Sequence, residues 1–318
     1  MIYPWQQTAW QKILERKKQN KLPHALLLTG IDGIGKADFA KAYANLLLCH
    51  NQEIAPCNNC AGCHLFSSGN HPDFYIAQPE EKSKIIKIDQ IRELTQELTQ
   101  TAQQGGNKIA IISPAAMMNS AASNALLKTL EEPPRNVFII LVSSNHTLLP
   151  ATIRSRCQRL ELKPPIFNEA LHWLREKNLN SNLELLLKLT HNAPLRAYEL
   201  AQTDELAERS NIINNFILLT QNKIDAPKFA ELCKNTDLNS LVNIVMSLTI
   251  DLIKIKIAGS NNLLNHDFYE PLTHLAKSTT TEKLFSYLDK LIELNKYLAK
   301  NINLNQQLAI EDLAIIKF

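Results

Sequence analysis

The segment from Ala25 to Leu48 constrains the fold most. An apolar run (ALLL, then Thr29) feeds the sequence GIDGIGKA (Gly30 to Ala37) and then a helical pattern from Lys36 to Leu48. A strand that enters a glycine-rich loop opening a helix is the context in which Gly30-x4-Gly35-Lys36 reads as a phosphate loop. Glycines let backbone N–H groups converge on phosphate oxygens, the helix N-terminus adds positive potential, and Lys36 adds a point charge. Gly30, Gly33, Gly35 and Lys36 are the nucleotide-binding candidates. The following position, where Ser or Thr would ligate Mg²⁺, is Ala37. A tight strand-to-helix turn kept only for its shape is the competing reading.

A hydrolysing site needs an Asp after a second apolar strand to hold Mg²⁺, and a group that orients the attacking water. Here Ile109 to Ile112 is followed by Ser113, Pro114, Ala115 and Ala116, none acidic. Mg²⁺ prefers hard oxygen ligands, carboxylates above all. The loop is therefore read as degenerate, with no intrinsic ATPase and no ATP expected in the chain's own site.

The remaining pattern alternates in the first half. A helix is expected over Trp5 to Gln19. Short β-like runs follow at Phe74 to Ile76 and Ile85 to Ile88, and then a helix capped by Asp89 runs to Gln103 and is ended by Gly105-Gly106. Lys108 to Ile112 reads as a buried strand. Ala121 to Glu132 reads as a helix stopped by Pro133-Pro134, and strands follow at Val137 to Val142 and Arg159 to Leu162. Apolar strands alternating with helices predict an α/β domain whose parallel sheet is covered on both faces. After Pro164-Pro165 only helical periodicities remain. They give a small three-helix lid domain ending near residue 205, then an all-α C-terminal domain with a leucine stripe from Leu284 to Leu298. The expected boundaries are 1–163, 164–205 and 206–318.

Pro150 is positioned to start a short helix running to Arg154. Arg154 and Arg156 then lie at its C-terminal end, where the dipole favours cations. Arg156 in Ser155-Arg156-Cys157 is placed to project toward an adjoining subunit. A guanidinium there would stabilise charge on a transferring phosphoryl group; an ordinary surface arginine is the alternative. Four of the six cysteines, Cys49, Cys57, Cys60 and Cys63, crowd into one excursion. Four thiolates with two x2 gaps suit a closed, structural Zn²⁺ site, with His50, His64 or His71 as substitute ligands if a cysteine is not used. Cys157 and Cys233 are read as packed residues. His24 reads as a capping or packing residue, Glu131-Glu132 as an interface feature, and Arg196 as a structural contact.

Composition adds little. The formal charge of +3 does not announce a nucleic-acid binder, and a basic face (Lys12, Arg16, Lys17, Lys18, Lys21) reads as solvated. No signal pattern or membrane-length apolar run is seen, so a cytoplasmic location is expected, where disulfides are rare.

NALLKTLEEPP (Asn124 to Pro134) followed by ATIRSRC (Ala151 to Cys157) resembles the clamp-loader branch of the AAA+ ATPases. YPW (Tyr3 to Trp5), HALLLTG before the loop, the cysteine cluster and HPDF (His71 to Phe74) narrow this to the loader of bacterial DNA polymerase III. The closing NINLNQQLAIEDL fits as well. The likeness is dense through Leu160 and looser beyond it. It implies a three-domain, non-hydrolysing "stator" subunit of a polymerase (nucleotidyltransferase) holoenzyme, with a C-terminal collar domain and Arg156 acting in trans as an arginine finger. The implied partners are gamma/tau ATPase subunits, a delta subunit, the sliding clamp and primer-template DNA. Retention of Lys36 leaves passive nucleotide binding open. The rival is an ATP-hydrolysing motor subunit of the same loader. A zinc-dependent nucleic-acid binder is disfavoured, because the cysteines lack flanking basic and aromatic residues.

Overall fold

A computed structural model describes residues 1–51, 56–80, 83–179, 181–259, 263–299 and 304–315. Residues 52–55 of the expected zinc excursion and 301–303 of the closing motif lie outside these. Contacts divide the chain into two compact units, Met1–Lys177 with Thr190–Arg196, and Asn178–Leu189 with Ala197–Phe318.

In the first unit a 3₁₀ turn (Pro4–Gln6) leads into α1 (Gln7–Lys18), β1 (Ala25–Thr29), α2 (Lys36–Leu48) and α3 (Ala61–Ser67). Next come β2 (Phe74–Ala77), α4 (Ile88–Thr99), β3 (Lys108–Ile112), α5 (Ser120–Glu131), β4 (Val137–Ser143), α6 (Ala151–Arg154) and β5 (Gln158–Glu161). The five strands form one parallel sheet in the order β2-β3-β4-β1-β5. Every residue of β1 and β3 is buried, because helices cover both faces; this is why these strands read as unbroken apolar runs. The period of two nevertheless sorts their side chains. Ala25, Leu27, Ala110, Ile112, Ile139 and Leu141 face a core with Ile91, Leu94 and Leu98 of α4 and Leu126 and Leu130 of α5. Leu26, Leu28, Ile109, Ile111, Ile140 and Val142 face Ile13 of α1 and Phe39, Tyr43 and Leu47 of α2. Because all strands run the same way, their C-terminal ends open on one edge, where a ligand crevice is expected in such sheets.

Three local expectations are corrected. Ile85 to Ile88 is not a strand: Ile86 makes an isolated parallel bridge to Met118, and Ile88 already begins α4. Lys87 holds the N-cap position, while Asp89 sits in the first turn, still favourably placed against the helix dipole. The helix stops at Thr99 rather than Gln103. The fully buried Asp73 carboxylate draws off the backbone amides of Gln103 (2.8 Å) and Gln104 (2.9 Å), which a continued helix would have needed.

Among the described residues no strand follows β5. The three expected short helices are present as α7 (Phe167–Arg175), α8 (Leu183–Leu189) and α9 (Pro194–Leu200). The second unit continues with α10 (Glu205–Thr220), α11 (Ala226–Cys233), α12 (Leu238–Ala258), α13 (Tyr269–Ser278), α14 (Thr281–Ala299) and α15 (Gln306–Ala314). The leucine stripe belongs to this unit's own core. Leu284 and Leu291 are buried, with Leu288, Leu294 and Leu298 packed beside them. α14 packs this stripe largely against α12. No helix among the described residues is long and apolar enough to cross a membrane.

A buried polar knot ties α10, α12 and the turn before α13. Arg209 donates to both oxygens of Asp267 (2.7 and 3.0 Å) and to Asn265 Oδ1 (2.7 Å). Asp251, fully buried, accepts the amides of Leu264 (3.1 Å) and Asn265 (2.7 Å) and the Asn265 side chain (2.9 Å). Truncating it leaves the buried Asn265 donors and the half-buried Leu264 amide without their acceptor, at about 1–3 kcal/mol for each that stays away from water. Asp251→Ala is expected to lower unfolding stability by about 3–5 kcal/mol, and Asp251→Asn by clearly less. Urea titration of both variants reads this, and equal midpoints for wild type and Asp251→Ala would show the knot to be idle.

Candidate functional site

The phosphate-loop residues lie where the sequence puts them, between the end of β1 and the start of α2. Gly35 is the N-cap of α2 in the left-handed region (φ 81°), and a Cβ there would meet the Tyr3 ring at 2.5 Å. At Gly33 (φ 76°) a Cβ would meet Arg196 Cβ at 2.3 Å, and Leu195 N donates to the Gly33 carbonyl (2.9 Å). The Lys36 side chain is only 7% exposed, and its ammonium is taken by the chain itself: Nζ donates to Ile31 O (2.7 Å) and to Asp32 Oδ1 (3.1 Å). Ser144, just past β4, donates to the same Asp32 oxygen. The N-terminal segment closes the other side. Trp5 Nε1 (3.0 Å) and Gln6 Nε2 (2.8 Å) donate to Ile34 O, and Gln6 Nε2 also donates to Gly35 O (2.9 Å). Tyr3 stacks on Trp5 (5.0 Å, 4°), both rings meet Trp173 edge-on, and Tyr3 OH donates to Asp38 (3.0 Å). Burial and the Asp38 carboxylate push the Tyr3 phenol up to about 12.

The edge offers little to a metal. β3 ends at Ile112, and the residues after it, Ser113 to Ala116, carry no carboxylate, with Ala115 fully buried. Ala37 brings no hydroxyl. The nearest carboxylate to Lys36, that of Asp32, is already its counter-ion.

Arg156 follows α6 and is 35% exposed. It lies within reach of α5: Nη2 pairs with Glu131 Oε1 at 2.5 Å, and Nη1 donates to Thr152 O (2.9 Å) and Ser155 Oγ (3.4 Å). Glu131 is the last residue of α5, and Glu132 is its non-helical C-cap. His24 contacts the Leu130 carbonyl at 3.2 Å, in keeping with a packing role. Cys157 and Cys233 are buried, and burial pushes their thiols up to about 12 and about 11.

The four clustered cysteines converge. Cys49 ends α2, Cys60 is the N-cap of α3 and Cys63 lies within it. All four sulfurs lie within 4.8 Å of one another: Cys49–Cys57 3.5 Å, Cys49–Cys60 3.9 Å, Cys57–Cys63 4.0 Å. A tetrahedron with metal–sulfur arms of about 2.3 Å has edges of about 3.8 Å, so the donors fit a metal ion, Zn²⁺ included. None is in a disulfide, and among the described residues no histidine joins the group. His71 instead uses Nδ1 to accept the Asp73 amide (3.1 Å), and burial holds it below the usual histidine range. The thiols divide into pairs. The Asn59 amide chiefly lowers Cys57. Burial pushes Cys60 up, but the amides of Cys63 and His50 outweigh it and bring it to about 6. Burial raises Cys49, and Cys63 to about 12.

Sequence reading missed four participants. Asp32 and Ser144 close the loop, Glu131 holds Arg156, and Gly62 lets α3 approach α2, since a Cβ there would lie 2.5 Å from Leu48 O. Gly62 carried a signal as a glycine inside the second Cys-x2-Cys, and Glu131 carried one as an interface feature, without its Arg156 partner.

Two family models cover most of the chain: "DNA polymerase III, delta subunit" over residues 5–166 and "DNA polymerase III, delta subunit, C terminal" over 203–316. The DNA polymerase III subunit delta' of Pseudomonas aeruginosa is 32% identical over 99% of this chain and 96% of its own length. That of Escherichia coli is 29% identical over 98% and 94%. A DNA polymerase III gamma subunit-related protein of Thermotoga maritima aligns over 96% of this chain and 98% of its own, with 20% identity and a TM-score of 0.45. With near-full-length likeness to the delta' relatives and matching family models over both units, the chain belongs to the family of DNA polymerase III delta' subunits.

Proposed function

We propose that this chain is the non-hydrolysing, stator-type subunit of a DNA polymerase III clamp loader. It packs beside a gamma/tau-type ATPase subunit and a delta subunit and lends Arg156 to the neighbour's nucleotide while the loader places a sliding clamp on primer-template DNA. The observation that carries the reading is the chain's own loop, whose Lys36 is spent on Ile31 and Asp32, beside a strand end whose following residues, Ser113 to Ala116, carry no carboxylate. A motor subunit needs that ammonium and those carboxylates for Mg²⁺ and the triphosphate. Family membership supports the setting, and the Cys49, Cys57, Cys60 and Cys63 cluster supports a structural Zn²⁺. The division into sheet domain (1–163), lid (164–205) and collar (206–318), and a cytoplasmic location, complete the proposal.

The test is made on the isolated chain. No ATP turnover above background is expected, and Lys36→Ala should leave that result unchanged. Turnover at ordinary motor rates, abolished by Lys36→Ala, would instead establish the rival reading of an ATP-hydrolysing motor subunit.

A further inference from the structure

We propose that Glu131 is the positioning residue of the arginine finger. The inference rests on the trans-acting role given to Arg156 above and adds to it a cause for the guanidinium's direction. Arg156 has five N–H donors in a rigid plane. Nη1 spends its pair on Thr152 O at 2.9 Å and, more weakly, Ser155 Oγ at 3.4 Å, while Nη2 gives one hydrogen to Glu131 Oε1 at 2.5 Å. Nε and the second Nη2 hydrogen meet no protein acceptor among the described residues. They form the edge left for a phosphoryl oxygen.

Thr152 and Ser155 bind only one nitrogen, and both belong to the short stretch that carries the arginine. Alone they leave the plane free to turn. Glu131 comes from a different element, the end of α5, and its bond to the second nitrogen fixes the plane against the sheet domain. Orientation settled before the reaction is an established source of rate. Glu131 also stands in an unfavourable place for an acid, the negative end of a helix. A facing cation offsets that cost, and among the described residues Arg156 is the cation bonded to it. Because Glu131 and Arg156 are 48% and 35% exposed, the pair is weak as a stabiliser of the fold. Its consequence is orientation.

The experiment is a double-mutant cycle in the reconstituted loader, reading single-turnover ATP hydrolysis at the site next to this chain. Glu131→Ala is expected to slow that rate about two- to fivefold, the range of a half-exposed ion pair, with KM for ATP and thermal stability unchanged. Glu131→Gln, whose amide oxygen still accepts from Nη2, should recover part of the loss. In an Arg156→Ala background Glu131→Ala should do nothing further, because its effect passes through the guanidinium. An unchanged or faster rate in Glu131→Ala, or an equal slowing without Arg156, overturns the inference and leaves the finger reading standing. If Arg156→Ala alone has no effect, the finger reading falls and this inference falls with it.

Discussion

In the reconstituted loader, Arg156→Ala should slow hydrolysis at the neighbouring ATPase site by about 10³-fold, the lower end of what trans-acting arginines supply. The loader should still assemble. Bulk steady-state turnover will fall only by that one site's share, so the measurement has to isolate it, for example with the other ATPase subunits carrying inactivated loops. Arg156→Lys should not rescue. An ammonium cannot keep its bonds to Glu131 and Thr152 with one side of a plane and offer the other side to phosphate. Both of those bonds are half-exposed, worth about 0–1 kcal/mol to the fold, so thermal stability should hold. An unaltered single-site rate would refute the finger, and a loader that fails to assemble would recast Arg156 as an interface residue.

The parts of this molecule that are legible in its sequence are those fixed by neighbours along the chain. β1, β3 and the start of α2 can be read to the residue, since an apolar run buried on both faces and a glycine loop leave few alternatives. The sulfur cluster is legible for the same reason, because two short gaps bring the donors together whatever lies around them. Interactions across long separations are not. Asp73 terminates α4 through amides 30 and 31 residues away, and nothing in the run from Ile88 to Gln103 reports this. Ser144 reaches Asp32 across 112 residues, so the loop's closure cannot be read from GIDGIGKA. The stripe from Leu284 to Leu298 marks a helix face correctly, but periodicity says only that a face is apolar. Whether another helix of the same chain or another subunit covers it depends on α12.

With the structural metal proposed for the four cysteines in place, removing it should cost the first unit more than any single substitution at its surface. Structural zinc in small modules binds with apparent free energies of about 10–16 kcal/mol, and a ligand held at a thousandfold excess over its Kd stabilises the native state by about 4 kcal/mol. Here the excursion has almost no core of its own. Among the described residues, an aromatic contact sets Phe66 of α3 against Phe74 of β2, with centroids 4.8 Å apart, at the edge of the sheet. Without the metal, four sulfurs within 4.8 Å have no cation to hold them, α3 loses its anchor, and the β2 edge with Phe74 is uncovered. Cys60→Ser, or a strong chelator, is therefore expected to lower the melting temperature by several degrees, raise amide exchange over α3 and promote aggregation. Metal retention should also depend on pH in a definite sense. Cys57 and Cys60 are lowered, while Cys49 and Cys63 are raised by burial; a metal binds thiolates, so its uptake must expel at least the protons of the raised pair. Binding then tightens as pH rises and fails first on acidification. Elemental analysis after dialysis across that range, paired with melting curves, reads both effects. Native protein without stoichiometric metal, or a Cys60→Ser variant that melts where the parent does, would remove the metal from the account.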